Sequence, residues 1–143
     1  MEKEMLKSRR SFLKTGIILS GTALVGAGLT FSFNPSNKFI ARQLTGYLQY
    51  HHLANVIGDS VIRNDTNLQG LSLQQMIDLV LEEAGLGRSD VSLFSLFNQL
   101  ETFRNAARED FMNENIILVD GWVLSSTEAH LCALLHLYLS PSA

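Results

Sequence analysis

The stretch that decides the fold is Ile116-Ile117-Leu118-Val119-Asp120-Gly121-Trp122-Val123-Leu124-Ser125, continuing as Ser126-Thr127-Glu128-Ala129-His130-Leu131-Cys132-Ala133-Leu134-Leu135-His136-Leu137-Tyr138-Leu139. Two short apolar runs flank Asp120-Gly121. That dipeptide suits a two-residue hairpin turn, where both positions need positive φ. A two-stranded hairpin alone is marginal in water, so it is expected to pack on a helix or on a partner. Ser125, with Glu128 three residues on, forms a capping box. It predicts a helix from Ser126 to about Leu139, ending before Pro141. The helix is apolar around most of its circumference, as is a helix buried on several sides. In so small a domain this suggests a partner surface, with Trp122, Val123, Leu124, Leu134 and Tyr138 as its candidate residues.

Working back along the chain, Asn113-Glu114-Asn115 breaks a preceding helix. That helix is predicted from a cap at Ser89 or Asp90 to about Met112, with Val91, Phe94, Phe97, Leu100 and Phe103 on one face. The phenylalanines suit an interface core and the domain's own core equally. Before it, Ser72 and Gln75 form another capping box, and Leu73, Met76, Ile77, Val80 and Leu81 make one apolar stripe. Gly85 is the expected left-handed C-cap. Asn64 to Gly70 reads as a polar loop. A first long helix is expected over Lys38–Arg63, weakened by Gly46 and Gly58. Asn34-Pro35-Ser36-Asn37 reads as a linker. The fold class is therefore mainly α: a bundle of about four helices with one short hairpin, occupying residues 38–143 behind an N-terminal signal or anchor helix over 1–33.

Composition agrees with one small folded domain. The chain has 143 residues, 46% of them hydrophobic and 17% charged, which argues against intrinsic disorder. One cysteine excludes an intramolecular disulfide framework and a multi-cysteine zinc site. A net charge of −3 gives no basic excess that would point to nucleic acid.

The charge is unevenly placed. Lys3, Lys7, Arg9, Arg10 and Lys14 outnumber Glu2 and Glu4 at the head, Thr15–Phe33 carries no charge, and the remainder is acidic. This is the layout of an export signal joined to its passenger. Ser8-Arg9-Arg10-Ser11-Phe12-Leu13-Lys14 fills the twin-arginine pattern S-R-R-x-F-L-K, and the site residues of that signal are Ser8, Arg9, Arg10, Phe12, Leu13 and Lys14. Paired guanidiniums present forked donors to acidic receptor groups. The apolar run is diluted by Gly16, Gly21, Gly26 and Gly28. Thr30-Phe31-Ser32 and Gly26-Ala27-Gly28 are passable cleavage sites. The run is also about the length that spans a bilayer. A cleaved periplasmic form and one anchored in the inner membrane both stay open.

Residues that carry chemistry are few. Cys132 and His136 share a helical face, but His130 points elsewhere. Cys132 is expected to be a small buried apolar residue. His51-His52 reads as a surface pair. Asp65, Asp78, Glu82 and Glu83 read as solvated carboxylates. No nucleophile elbow, phosphate loop, dinucleotide loop or haem-attachment motif occurs. The expectation is no catalytic residue, no metal and no cofactor in this chain.

The signal, the helical body, Leu44-Thr45-Gly46 and the segment Val119-Asp120-Gly121-Trp122-Val123-Leu124-Ser125-x-Thr127-Glu128-Ala129 resemble the small, gamma-type subunits of bacterial sorbitol and glucose dehydrogenases. The resemblance covers about half the chain. It implies a chain that is not an enzyme by itself. Its partner would be a FAD-dependent large subunit of the glucose-methanol-choline type, often with a cytochrome c subunit. In that family the small subunit bears the signal and carries the folded flavoprotein through the twin-arginine translocase. The other reading is a free-standing periplasmic or membrane-anchored protein with a structural or binding role.

Replacing Arg9 and Arg10 together with lysine keeps the charge and removes the forked geometry. Export is expected to fail. Cell fractionation checks it, and normal delivery of the variant would overturn the signal assignment.

Overall fold

The computed structural model describes residues 35–91 and 96–140, with the side chains of 96–99 left aside. The expected signal region 1–33, and with it Phe94 and the side chain of Phe97, lies outside the described residues. The described part is mainly helical. In chain order it comprises α1 (Asn37–Thr45), α2 (His51–Asn64), α3 (Leu73–Glu83), a 3₁₀ turn at Arg88–Asp90 and α4 (Leu96–Met112). β1 (Ile116–Val119), β2 (Trp122–Ser125) and α5 (Ser126–Leu139) complete it.

The hairpin forms as its turn residues dictate. Asp120 has φ 48° and Gly121 φ 77°, both left-handed. The antiparallel register pairs Val119 with Trp122, Leu118 with Val123, Ile117 with Leu124 and Ile116 with Ser125. Directly opposed residues share a face. Val119 and Leu124 are buried, and Ile117 and Trp122 pack partly against the core. That face turns inward. The other carries Ile116 and Leu118, which are 49% and 73% exposed.

Helix α5 is the centre of the fold. It contacts all four other helices and both strands, and every residue from Thr127 to Leu135 is buried. Over Thr127–Leu135 the apolar circumference is thus covered by the chain itself, which corrects the expectation that one side faces water for a partner there, while Leu139 at the far end is exposed. Leu124 and Leu134 are wholly buried in this private core, so neither lies on a surface that a partner reaches.

The predicted helix over Lys38–Arg63 is two helices. Gly46 caps α1, with its N–H on the Arg42 carbonyl. The Leu48 N–H then turns back to the Thr45 carbonyl. After the break, adjacent Tyr47 and Leu48 both enter the core. Tyr47 meets the ring of Phe103 at 5.9 Å, and burial pushes its phenol up to about 12. Asn37, expected in the linker, already belongs to α1, and Ser36 is its N-cap.

Both helices that precede a reversal end in the same way. At α3, Gly85 has φ 68°. The Leu86 N–H reaches the Leu81 carbonyl at 2.9 Å and the Gly85 N–H reaches Glu82 at 3.0 Å. This is a Schellman motif. At α4, Glu114 takes the left-handed position with φ 60°, and the Asn115 N–H reaches the Asp110 carbonyl at 2.8 Å. The cap expected at Ser89 or Asp90 for α4 instead belongs to the 3₁₀ turn. There the Asp90 carboxylate accepts from the Gly87 N–H at 2.6 Å.

One glycine sets the approach of α2 to α5. A Cβ built on Gly58 lies 2.0 Å from the Cys132 carbonyl oxygen and 3.0 Å from the Ala133 nitrogen. Backbone lies against backbone here, and no side chain can yield. On an exposed helix, Gly→Ala stabilises by about 1 kcal/mol. Gly58→Ala is expected to destabilise instead, by at least about 3 kcal/mol, the upper part of the overpacking range. Urea denaturation checks the sign, and a neutral or stabilised variant would show that the two helices do not meet at this point.

Candidate functional site

Polar chemistry in the described residues gathers at the N-terminal end of α5. A helix leaves its first N–H groups without intrahelical partners, and a buried helix start must find them elsewhere. Here four are satisfied from three parts of the chain. The Ser125 N–H donates to Glu128 Oε2 at 2.9 Å and the Glu128 N–H to Ser125 Oγ at 3.0 Å. The Ser126 N–H donates to the Asn115 carbonyl at 3.0 Å. The Thr127 N–H donates to Asp110 Oδ2 on α4 at 2.8 Å. A carboxylate at this end also complements the helix dipole.

Glu128 is 2% exposed. Burial pushes its carboxyl up to about 7. The hydrogen bonds from Ser125 oppose that rise, and the nearby Asp110 charge adds to it. Cys132, one turn further on, is wholly buried. Burial pushes its thiol up, with Glu128 adding to the effect. Thiolate chemistry therefore has little footing here.

Beside this cap lies a second cluster. Glu83, at the end of α3, accepts from Ser126 Oγ at 3.1 Å, and its Oε1 stands 2.7 Å from His130 Nδ1. Glu83 Oε2 is buried and has no protein partner. The expectation that Glu83 is a solvated carboxylate is thereby corrected: it ties α3 to α5. The His130 side chain is only 10% exposed. Asp78 is also engaged, pairing with Arg88 at 2.8 Å, and Asp65 accepts from the Asn67 N–H.

His130 forms part of the wall of an open cleft of about 500 Å³ between α3, the loop before it and α5. Leu68, Leu71 and Leu79 supply apolar wall, and Asp65, Asp78 and Glu82 line it with carboxylates.

The remaining expected residues are scattered. His51 and His52 are exposed at the start of α2, as read from the sequence. His136 Nδ1 stands 2.9 Å from Asn55 Oδ1, tying α5 to α2. Of the candidate interface residues, Trp122, Val123 and Tyr138 keep partial exposure, while Leu124 and Leu134 have none. Trp122 shares the inward hairpin face with Val119. Among the described residues no group of three or more His, Cys, Asp or Glu side chains is arranged to hold a metal ion, and no helix is long and apolar enough to cross a membrane. Comparison with protein-family models, curated proteins and solved structures finds no match.

The Glu128 geometry gives a pH dependence with a definite sign. Its carboxyl titrates near 4.5 when unfolded and at about 7 when folded. Between these values the folded state holds a proton that the unfolded state has lost. Stability therefore falls as pH rises through that window and levels off above it. The drop is on the order of 3 kcal/mol. Glu128→Gln keeps an acceptor for Ser125 and removes the titration. Chemical denaturation at pH 5, 6 and 8 is expected to show a declining wild type and a much flatter variant. Parallel profiles would overturn the assignment.

Proposed function

We propose that this chain is a non-catalytic small subunit and export escort of a periplasmic, FAD-dependent dehydrogenase of sugars or alcohols. It would carry the folded flavoprotein through the twin-arginine translocase. The observation that carries this reading is the unbroken Ser8–Lys14 motif ahead of an uncharged run. That route serves folded cargo, and a small domain with no recognisable cofactor motif gains most from it as an escort. The segment from Val119 to Ala129, through which the resemblance to dehydrogenase small subunits runs, supports the same reading.

An escort needs a surface to hold its cargo. The outward face of the hairpin suits this role. Leu118 and Val123 oppose each other across the strands, with Ile116 on the same face. Glu114 and Asp120 stand exposed at either end of β1. A partner patch that is apolar and rimmed by basic residues complements it. This moves the expected contact from Trp122, on the inward face, to Leu118 and Val123.

The test is made in the source cell. Deleting the chain is expected to leave a folded flavoprotein in the cytoplasm. Recovering the tagged chain from the periplasm is expected to bring with it a large subunit with flavin absorbance. Leu118→Glu is expected to weaken that association at least tenfold, about 1.4 kcal/mol, with its melting temperature unchanged. A periplasmic chain recovered alone, with no flavoprotein displaced by the deletion, would favour the free-standing reading and overturn this one.

A further inference from the structure

The cleft walled by His130 has a composition that selects a ligand. Glu83 Oε1 holds Nδ1 of the ring at 2.7 Å. Such a carboxylate partner favours the tautomer with the proton on Nδ1, leaving Nε2 as an acceptor. The side chain is nine-tenths buried, yet Nε2 is neither bonded to another protein group nor among the sealed, unsatisfied atoms. Because His130 forms part of the cleft wall, we assign its unbonded Nε2 edge to the cleft. Glu82 lines the same cleft and is exposed, and its carboxylate makes no ion pair or hydrogen bond. Asp78 is already neutralised by Arg88. The cleft thus combines an acceptor nitrogen, free negative charge and an apolar wall of Leu68, Leu71 and Leu79.

We infer that this cleft binds an alkylammonium group: the charged nitrogen between His130 Nε2 and the Glu82 carboxylate, the alkyl stem along the leucines. An anion would meet the carboxylates, and a neutral alcohol would leave Glu82 without a counter-charge. The inference is independent of the escort reading, since it rests on α3, α5 and the loop between α2 and α3 and makes no use of the hairpin.

Two sources supply this chemistry, a free small amine or a lysine side chain of another protein. The test titrates the full chain with hexylammonium chloride, and separately with a blocked Leu-Lys-Leu tripeptide, while the histidine ring resonances are followed by NMR. Saturable shifts confined to one histidine, abolished in His130→Asn, support the inference. The tighter of the two probes identifies the source. Glu82→Gln, an exposed change that leaves the fold intact, is expected to weaken either probe about tenfold, as loss of one charged partner does. Hexanoate and hexanol are the controls. Equal response to hexanoate, an unaffected Glu82→Gln variant, or no saturation by either cation would each overturn the inference.

Discussion

A helix that is buried at its start must have every early N–H satisfied from within the protein, and α5 is such a helix. Its four donors go to Ser125, Glu128, Asn115 and Asp110. An unpaired buried donor costs about 1–3 kcal/mol, so the four partners together control free energy comparable to the ~5–15 kcal/mol a domain has in reserve. They also fix geometry. Asp110 must stand at the end of α4, and Asn115 must lead directly into the hairpin. The left-handed Glu114 between them makes both placements compatible. A non-glycine residue in that conformation costs about 1–2 kcal/mol, which the cap it allows offsets.

The other helices follow from the same central position. Each covers one side of α5, and α2 comes closest because Gly58 has no side chain. The polar ties between helices also end on α5: Glu83 reaches His130 and Ser126, and Asn55 reaches His136. Not all of these groups are comfortable. Glu128 completes the cap, but burial makes its ionised form unfavourable. One residue therefore serves local helix geometry and opposes folding at high pH.

What was legible in the sequence was local. Asp120-Gly121 specifies its turn by φ alone, and Ser72/Gln75 and Ser125/Glu128 specify their helix starts across three residues. Gly85 marks a C-terminus in the same way. What was not legible depended on distance along the chain. Glu83 looks like any helix-end carboxylate because its partners lie 43 and 47 residues away. The break at Gly46–Tyr50 was hidden because Tyr47 and Leu48 enter the core only if other helices are present to receive them. The apolar circumference of α5 was read correctly as burial on several sides. Periodicity cannot say whether the cover comes from the same chain or from another, and here the chain supplies it.

That outcome changes what an escort reading requires. With α5 buried from Thr127 to Leu135, the outward hairpin face is an apolar surface that the described residues still offer to a partner, beside single exposed residues such as Tyr50, Val56 and Met112. Ile116, Leu118 and Val123 are each worth at most about 1.5–3 kcal/mol on full burial, and part of that is already realised in the folded chain. Association costs an estimated 4–15 kcal/mol in lost freedom and ordering. The apolar strip alone therefore holds a partner weakly. A stable complex needs further contacts, and the acidic body supplies the charge for them. Its Glu114 and Asp120 flank the strip, where paired charges accelerate encounter and reject wrong partners more than they add affinity. An escort built this way would be selective before it is tight, as the proposed role of joining a cargo before export requires.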